Sequence, residues 1–277
     1  MSEAKIEIRD VYKVFGPREG GPQEARAVEL LRQGCDKASV QAETGCNVGL
    51  AGVSATLAAG QISCIMGLSG SGKSTLVRHL NRLIDPSAGQ ILIDGSNILD
   101  LSMADLRELR RHRVSMVFQN FGLLPHVNVI DNVAFGLDVR GENQAQARKK
   151  AAVWLERVGL LGYENNYPDE LSGGMRQRVG LARALAIDAD ILLMDEAFSA
   201  LDPLIRRDMQ DQMLALQQHL QKTIVFITHD IDEALRLGRY IVILRDGKVE
   251  QMGSPDDIRN HPANEYVERF MVRRSAA

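Results

Sequence analysis

The chain has 277 residues, 45% of them apolar and 25% charged, the proportions of an ordinary globular protein rather than a disordered one. A formal net charge of -3 argues against a surface that coats nucleic acid. The cysteines, Cys35, Cys46 and Cys64, are odd in number and lack metal-ligand spacing, so they read as reduced thiols and small buried residues, not as a disulfide scaffold.

The opening residues, MSEAKIEIRD, hold acidic side chains and no apolar core, so no secretory signal is expected and the protein is expected to stay inside the cell. Residues 5–11 alternate apolar and polar side chains as a strand does. Residues 17–47 break that pattern: Gly16-Pro17 and Gly20-Gly21-Pro22 mark turns, Ala27, Leu30 and Leu31 recur at helical spacing, and a second short helix is expected over 38–43. This stretch is an inserted helical pair. From residue 44 to 72 there is no charge, but repeated glycines and the polar Asn47, Ser54, Thr56, Gln61 and Ser63 rule out a spanning helix. Two buried strands explain the run.

A strand is then expected at 61–66, a helix at 73–83, strands at 90–94 and 114–118, and a charged helix at 103–111 between them. From 119 to 187 apolar residues fall mostly at helical spacing, over 129–139, 145–158 and 174–186, which makes a helical block. Strands return at 191–194, 223–228 and 240–244. Between the first two lies a helix at 203–220, with Asp202 as N-cap and Pro203 in its first turn. After the last strand only the turn Asp246-Gly247 and a helix at 264–271 are expected. Alternating strands and helices imply an α/β fold with a mainly parallel sheet covered on both faces.

Gly67-Leu68-Ser69-Gly70-Ser71-Gly72-Lys73-Ser74 matches G-x-x-x-x-G-K-[ST] between a predicted strand and a predicted helix, the context a phosphate loop requires. Glycines let backbone amides curl around a phosphate, Lys73 adds a point charge, and Ser74 offers a hydroxyl to Mg²⁺. Further on, Ile191-Leu192-Leu193-Met194-Asp195-Glu196 places two carboxylates at a strand end, where open parallel sheets bind ligands. Asp195 would hold Mg²⁺, and Glu196 could polarise an attacking water as general base. A second glycine pair, in Leu171-Ser172-Gly173-Gly174-Met175, opens a helix without acidic residues and makes another anion site out of free amides and the helix dipole.

The ordered set of Gly67 to Thr75, Gln119, Leu171 to Met175, Ile191 to Glu196, Ser199-Ala200-Leu201-Asp202 and His229 resembles the ATP-binding subunits of ABC transporters over nearly the whole chain. The resemblance implies a P-loop NTPase (RecA-like) fold, with an N-terminal antiparallel β part and an inserted helical subdomain at 120–187, all within one domain spanning 1–277. It implies ATP and Mg²⁺ as cofactors. Gly67, Ser69, Gly70, Ser71, Gly72, Lys73, Ser74 and Thr75 would hold the phosphates. Ser74, Gln119 and Asp195 would serve the metal, and Glu196, His229 and Gln119 would serve hydrolysis. Ser172, Gly173, Gly174 and the D-loop Asp202 would meet nucleotide across a head-to-tail homodimer. Adenine would stack on Phe15, with Tyr12 as the alternative. The segment after Gln119, particularly 121–126, would seat a helix of the membrane partner on exposed apolar side chains.

Tyr12-Lys13-Val14-Phe15-Gly16, the insert ending Glu43-Thr44-Gly45, Arg78 to Ile84, Phe118 to Phe121, and Asp195 to Arg206 are similar to the glycine betaine/proline importer subfamily. Many of its subunits continue into regulatory CBS modules, which the 277 residues do not include. The resemblance implies integral membrane permease subunits and a periplasmic solute-binding protein as partners, no nucleic acid, a peripheral place on the cytoplasmic face of the inner membrane, and a quaternary amine, proline or histidine as solute. Two other classes carry a phosphate loop. ABC-type ATPases acting on nucleic acid have a long coiled-coil insertion or two fused units, whereas here Gly72 and Leu171 are 99 positions apart in a single unit. A small-molecule kinase would need a substrate lid in place of 171–178.

Overall fold

The computed structural model describes residues 3–119, 121–199 and 201–272. They fall into two compact units, Met1–Leu106 with Ile227–Ala277, and Arg107–Phe226, a division that follows chain contacts rather than the 120–187 bounds expected for a helical subdomain.

The first unit opens with β1 (Ala4–Phe15). This strand runs four residues past the expected end, because Tyr12 and Val14 are buried in a cluster with Ala27, Leu30, Leu31 and Val40 of the inserted helices. Those helices are α1 (Pro22–Arg32) and α2 (Lys37–Thr44). Asp36 caps α2 by accepting from the Ser39 amide, and Gly45 ends it at φ 71, a left-handed position that costs glycine least. β2 (Asn47–Ala58) and β3 (Ile62–Met66) follow, and the five residues of β3 are all buried, which explains the uncharged run. Then come α3 (Lys73–Leu80), β4 (Ala88–Ile93), the short β5 (Ser96–Asn97) and α4 (Met103–Glu108). Two helices stop earlier than periodicity predicts: α3 gives way to Arg82 at φ 52, and α4 passes into a π-helical turn, Leu109–Arg113.

In the second unit β6 (Val114–Val117) leads to the helices α5 (Val129–Val139), α6 (Gln144–Arg157) and α7 (Gly173–Ala186). They share a dry core that includes Val133, Leu137, Ala151, Leu155, Val179 and Ala182. β7 (Ile191–Asp195), buried throughout, pairs in parallel with β6, and α8 (Pro203–Leu220) follows. The chain returns to the first unit within β8 (Thr223–Thr228), then forms α9 (Ile231–Leu237), β9 (Tyr240–Arg245), β10 (Lys248–Gly253), α10 (Pro255–Asn260) and α11 (Glu265–Val272).

The first unit holds an antiparallel sheet in the order β2-β1-β4-β5 and the run β10-β9-β3, where β9 is parallel to β3 and antiparallel to β10. The second holds β8-β7-β6. The mainly parallel α/β arrangement with an N-terminal antiparallel part is therefore as expected. β10 and α10 are additions to it. β10 is half-buried at best and shows no apolar alternation, which hid it. α10 was legible, since Ser254 and Asp257 form a capping box with Pro255 in the first turn.

Candidate functional site

The residues between β3 and α3 form a cradle in the first unit. A Cβ on Gly67, whose φ is 152, would stand 2.2 Å from Leu244 O and 2.6 Å from Ser71 Oγ, so only glycine fits where the loop presses on β9. At Gly72, φ 104, a Cβ would stand 2.7 Å from Gly49 O. Lys73 is 5% exposed, and its Nζ donates to Gly67 O at 2.9 Å and Leu68 O at 3.0 Å. The amine thus lies inside the loop's own curl. Ser71 Oγ is buried without a hydrogen-bond partner, and no side chain caps the start of α3. A buried amine, an orphan hydroxyl and an uncapped helix start together fit a polyphosphate. Ser69 and Gly70 are exposed on the rim, and Ser74 and Thr75 are half-buried in the first turn of α3.

The two candidate rings separate by exposure. Tyr12 is 7% exposed and lies in the core under the helical insert, with the Arg32 guanidinium 5.4 Å from its ring centre. Phe15 is 44% exposed at the end of β1. A Cβ on Gly49 would meet Phe15 Cε2 at 2.8 Å and Thr75 Cγ2 at 3.4 Å, so the Phe15 ring lies against bare backbone beside the helix that follows the phosphate loop. Lys13 Nζ sits 5.4 Å from its centre. His229, exposed, follows β8 directly. The turn it belongs to is held by the Asp230 amide donating to Thr228 Oγ1 at 2.9 Å, with that hydroxyl donating to Glu233 Oε2 at 2.6 Å.

In the second unit the fold joins Gln119 to Glu196, residues 77 positions apart, through Gln119 Nε2 donating to Glu196 Oε2 at 3.2 Å. β6 stops at Val117, one residue short of the expected 114–118, and Gln119 stands exposed in the turn beyond it. Asp195 closes β7 at 1% exposure. Glu196 adopts φ 47, a left-handed conformation that a side chain this long holds only when its surroundings impose it. Ser199 closes the turn that follows, donating to Glu196 O from its amide at 3.2 Å and its hydroxyl at 2.9 Å.

Asp202 caps α8 by accepting from the amides of Leu204 at 3.1 Å and Ile205 at 3.0 Å. Ser172 caps α7 by accepting from the Met175 amide at 3.3 Å. A Cβ on Gly174 would lie 3.4 Å from Leu201 Cδ2 and 3.7 Å from Ile205 Cγ2, which places the second glycine pair against the start of α8. Gly173 has open space at its Cα. Of the predicted stretches, Ala200 and Asn120 lie outside the described residues.

The segment after Gln119 departs from expectation. Phe121, Leu123 and Leu124 are half-buried, not exposed; Leu123 packs on the helical core, and the Arg176 guanidinium lies 5.5 Å from the Phe121 ring centre. The exposed apolar side chains of this unit include Phe135 and Val139 of α5 and Leu161 and Tyr163 beyond α6. Two residues that pattern reasoning missed fix the segment. Arg183 of α7 donates to Gly122 O at 2.7 Å and Phe121 O at 2.9 Å. The fully buried Asn132 donates to the carbonyls of Leu124, Val127 and Asn128 and accepts from the Leu124 amide at 2.8 Å. Each is a polar residue inside an apolar helical stretch, which is the one signal the sequence offered.

Among the described residues no helix is long and apolar enough to cross a membrane. The three thiols are free, and burial, with a smaller push from the Glu233 charge, drives that of Cys64 up.

Comparison with known proteins agrees with this geometry. Residues 50–199 match the family model described as ABC transporter. The chain is 56% identical over 96% of its length to the glycine betaine/proline betaine transport system ATP-binding protein ProV of Escherichia coli strain K12, and covers 65% of that protein. It is 54% identical over 97% of its length to the glycine betaine/carnitine transport ATP-binding protein GbuA of Listeria monocytogenes, covering 66% of it. It therefore spans just under two thirds of these relatives. Its fold is similar, with a TM-score of 0.76 and 30% identity over 90% of this chain and 98% of the other, to the dimeric structure of a post-hydrolysis state of the ATP-binding cassette MJ0796 bound to ADP and Pi. With its phosphate cradle, its Gln119–Glu196 pair and its capped second glycine helix, the chain belongs to the ABC transporter family.

Proposed function

We propose that the chain is the ATP-hydrolysing subunit of an ABC importer for glycine betaine and related quaternary-ammonium or proline-type solutes. The observation that carries the hydrolytic part is the Gln119–Glu196 hydrogen bond at 3.2 Å. A carboxylate at a strand end, held by an amide side chain and by an imposed left-handed backbone, is set to take a proton from water. The solute class is supported by the likeness to ProV, a glycine betaine/proline betaine transport protein, and GbuA, a glycine betaine/carnitine transport protein.

In this reading Lys73 leaves the carbonyls of Gly67 and Leu68 for the β- and γ-phosphates of ATP, while the amides of 69–75 and the Ser71 hydroxyl line the chain of phosphates. Phe15 offers an open ring face to adenine. For Mg²⁺, which would neutralise phosphate charge, the oxygen donors are Ser74 in the first unit and Asp195 and Gln119 in the second. Glu196 accepts the proton of the attacking water, and His229 orients it. Ser172, Gly173, Gly174 and Asp202 act on nucleotide held by a second copy of the chain. This is supported by the dimeric state of the MJ0796 cassette and by the open space at Gly173 in the first turn of α7. A permease and an extracytoplasmic solute-binding protein complete the importer, with this subunit peripheral on the cytoplasmic face of the inner membrane. The exposed Phe135, Val139, Leu161 and Tyr163 offer the permease an apolar contact in place of 121–126.

Uptake of radiolabelled glycine betaine by the source cells, with the gene intact and carrying Lys73→Ala, tests the reading. Uptake should fall to background in the variant. Unchanged betaine uptake with a loss of histidine uptake would reject the solute class.

A further inference from the structure

The turn between β9 and β10 and the helix α11 were given no role by the sequence motifs, yet they close on the phosphate loop. Gly247 donates its amide to Ser71 O at 3.0 Å and accepts from the Ala51 amide at 2.8 Å. Its φ is +76, and a Cβ there would stand 2.7 Å from Gly49 O and 3.0 Å from the Leu50 Cα, so the turn is wedged between β2 and the loop at a separation only glycine permits. Gly72, at the other end of the loop, would meet the same Gly49 carbonyl at 2.7 Å with a Cβ, and Gly247 Cα at 3.6 Å.

A second contact comes from α11. Tyr266 Oη donates to Leu244 O at 3.4 Å, the carbonyl against which Gly67 is packed. Its ring is held on two sides: the Arg245 guanidinium lies 4.6 Å from its centre, and Phe270 meets it edge-on at 5.2 Å. Burial pushes the phenol above its ordinary value, so the hydroxyl keeps its proton and can donate to the strand end.

We propose that Tyr266 and the turn 245–247 are positioning residues that hold the phosphate loop in the shape that receives nucleotide. Neither reaches the phosphates. They fix the loop from outside, Tyr266 through the Leu244 carbonyl on which Gly67 is packed and Gly247 through Ser71 O. This rests on the assignment of residues 67–75 to phosphate binding.

The test uses the full chain with Mg-ATP. Tyr266→Phe removes only the hydroxyl and leaves the ring between Arg245 and Phe270. KM for ATP should rise about threefold to tenfold, the effect of one hydrogen bond, with kcat within about twofold and the melting temperature unchanged. Tyr266→Ala, which also removes the ring, should raise KM further and lower the melting temperature. An unchanged KM in Tyr266→Phe, or a fall in kcat at constant KM, would overturn the proposal. Lys73→Ala, measured alongside by equilibrium ATP binding, should lose binding. Loss of binding there with a normal Tyr266→Phe rejects the brace alone, whereas retained binding would reject the phosphate-loop assignment and the brace with it.

Discussion

His79, on the buried side of α3, should make the protein sensitive to mild acid. Its Nδ1 donates to Thr75 O at 2.5 Å, while Nε2 is buried without a hydrogen-bond partner, so a second proton would enter a place where nothing accepts it. Burial, helped by the Lys13 charge and opposed by the Thr75 carbonyl and Asp85, pushes the imidazole down to about 4 from its ordinary 6.5. Between those values the unfolded chain binds more protons than the folded one, so stability rises with pH across the window and falls as pH drops through it. At about 1.4 kcal/mol for each tenfold, the whole gap corresponds to roughly 3 kcal/mol, and acidification from pH 7 to pH 5 draws out about 2 kcal/mol of it. Urea unfolding of the native protein and of His79→Asn at pH 7, 6 and 5 reads this directly. Asn keeps an N–H for Thr75 but does not titrate, and any packing loss is the same at every pH. The carboxylates of Asp36 and Asp257 are held low first by hydrogen bonds from Ser39 and Ser254 respectively, and lose their contribution only below the ordinary carboxylate range in both proteins, so they cancel. Parallel stability curves would refute the reasoning.

Asn132→Asp turns three donated hydrogen bonds into a carboxylate facing carbonyl oxygens, and should destabilise the second unit by about 3 kcal/mol or more, with faster amide exchange over 124–128; a loss below about 1 kcal/mol would contradict the role given to Asn132. Leu155→Ala empties a fully buried position among α5, α6 and α7 and should cost about 2–5 kcal/mol by urea unfolding. Arg183→Met keeps most of the side-chain volume but frees the carbonyls of Phe121 and Gly122. It should lower ATP turnover with little change in ATP affinity, read from the split between kcat and KM.

The elements proposed to bind phosphate were legible because their chemistry is local. A strand, a glycine turn and a helix are contiguous, so Gly67 to Thr75 could be placed from spacing alone, and Asp202 and Ser172 announce their helices as caps. Gln119 and Glu196 meet only through the fold, and spacing says nothing of a contact 77 positions apart; family likeness named both for hydrolysis but not the contact between them. What escaped is what depends on tertiary closeness. Gly247 reads as an ordinary turn glycine until β2 and the phosphate loop are found pressed against it, and Tyr266 reads as one more amphipathic residue of a terminal helix. The resemblance implies exposed apolar side chains at 121–126, yet Arg183 and Asn132 draw that segment against the helical core.

In the proposed importer one chain carries two half-sites that two copies complete. Sedimentation of Glu196→Gln with and without Mg-ATP tests it most directly, since the variant should bind nucleotide and not consume it. The expected outcome is a monomer without ATP, a dimer with it, and, for the double variant with Ser172→Arg, a monomer that still binds ATP with the affinity of the parent. A Glu196→Gln protein that stays monomeric at saturating ATP, or a Ser172→Arg monomer that no longer binds it, would contradict the two-copy site.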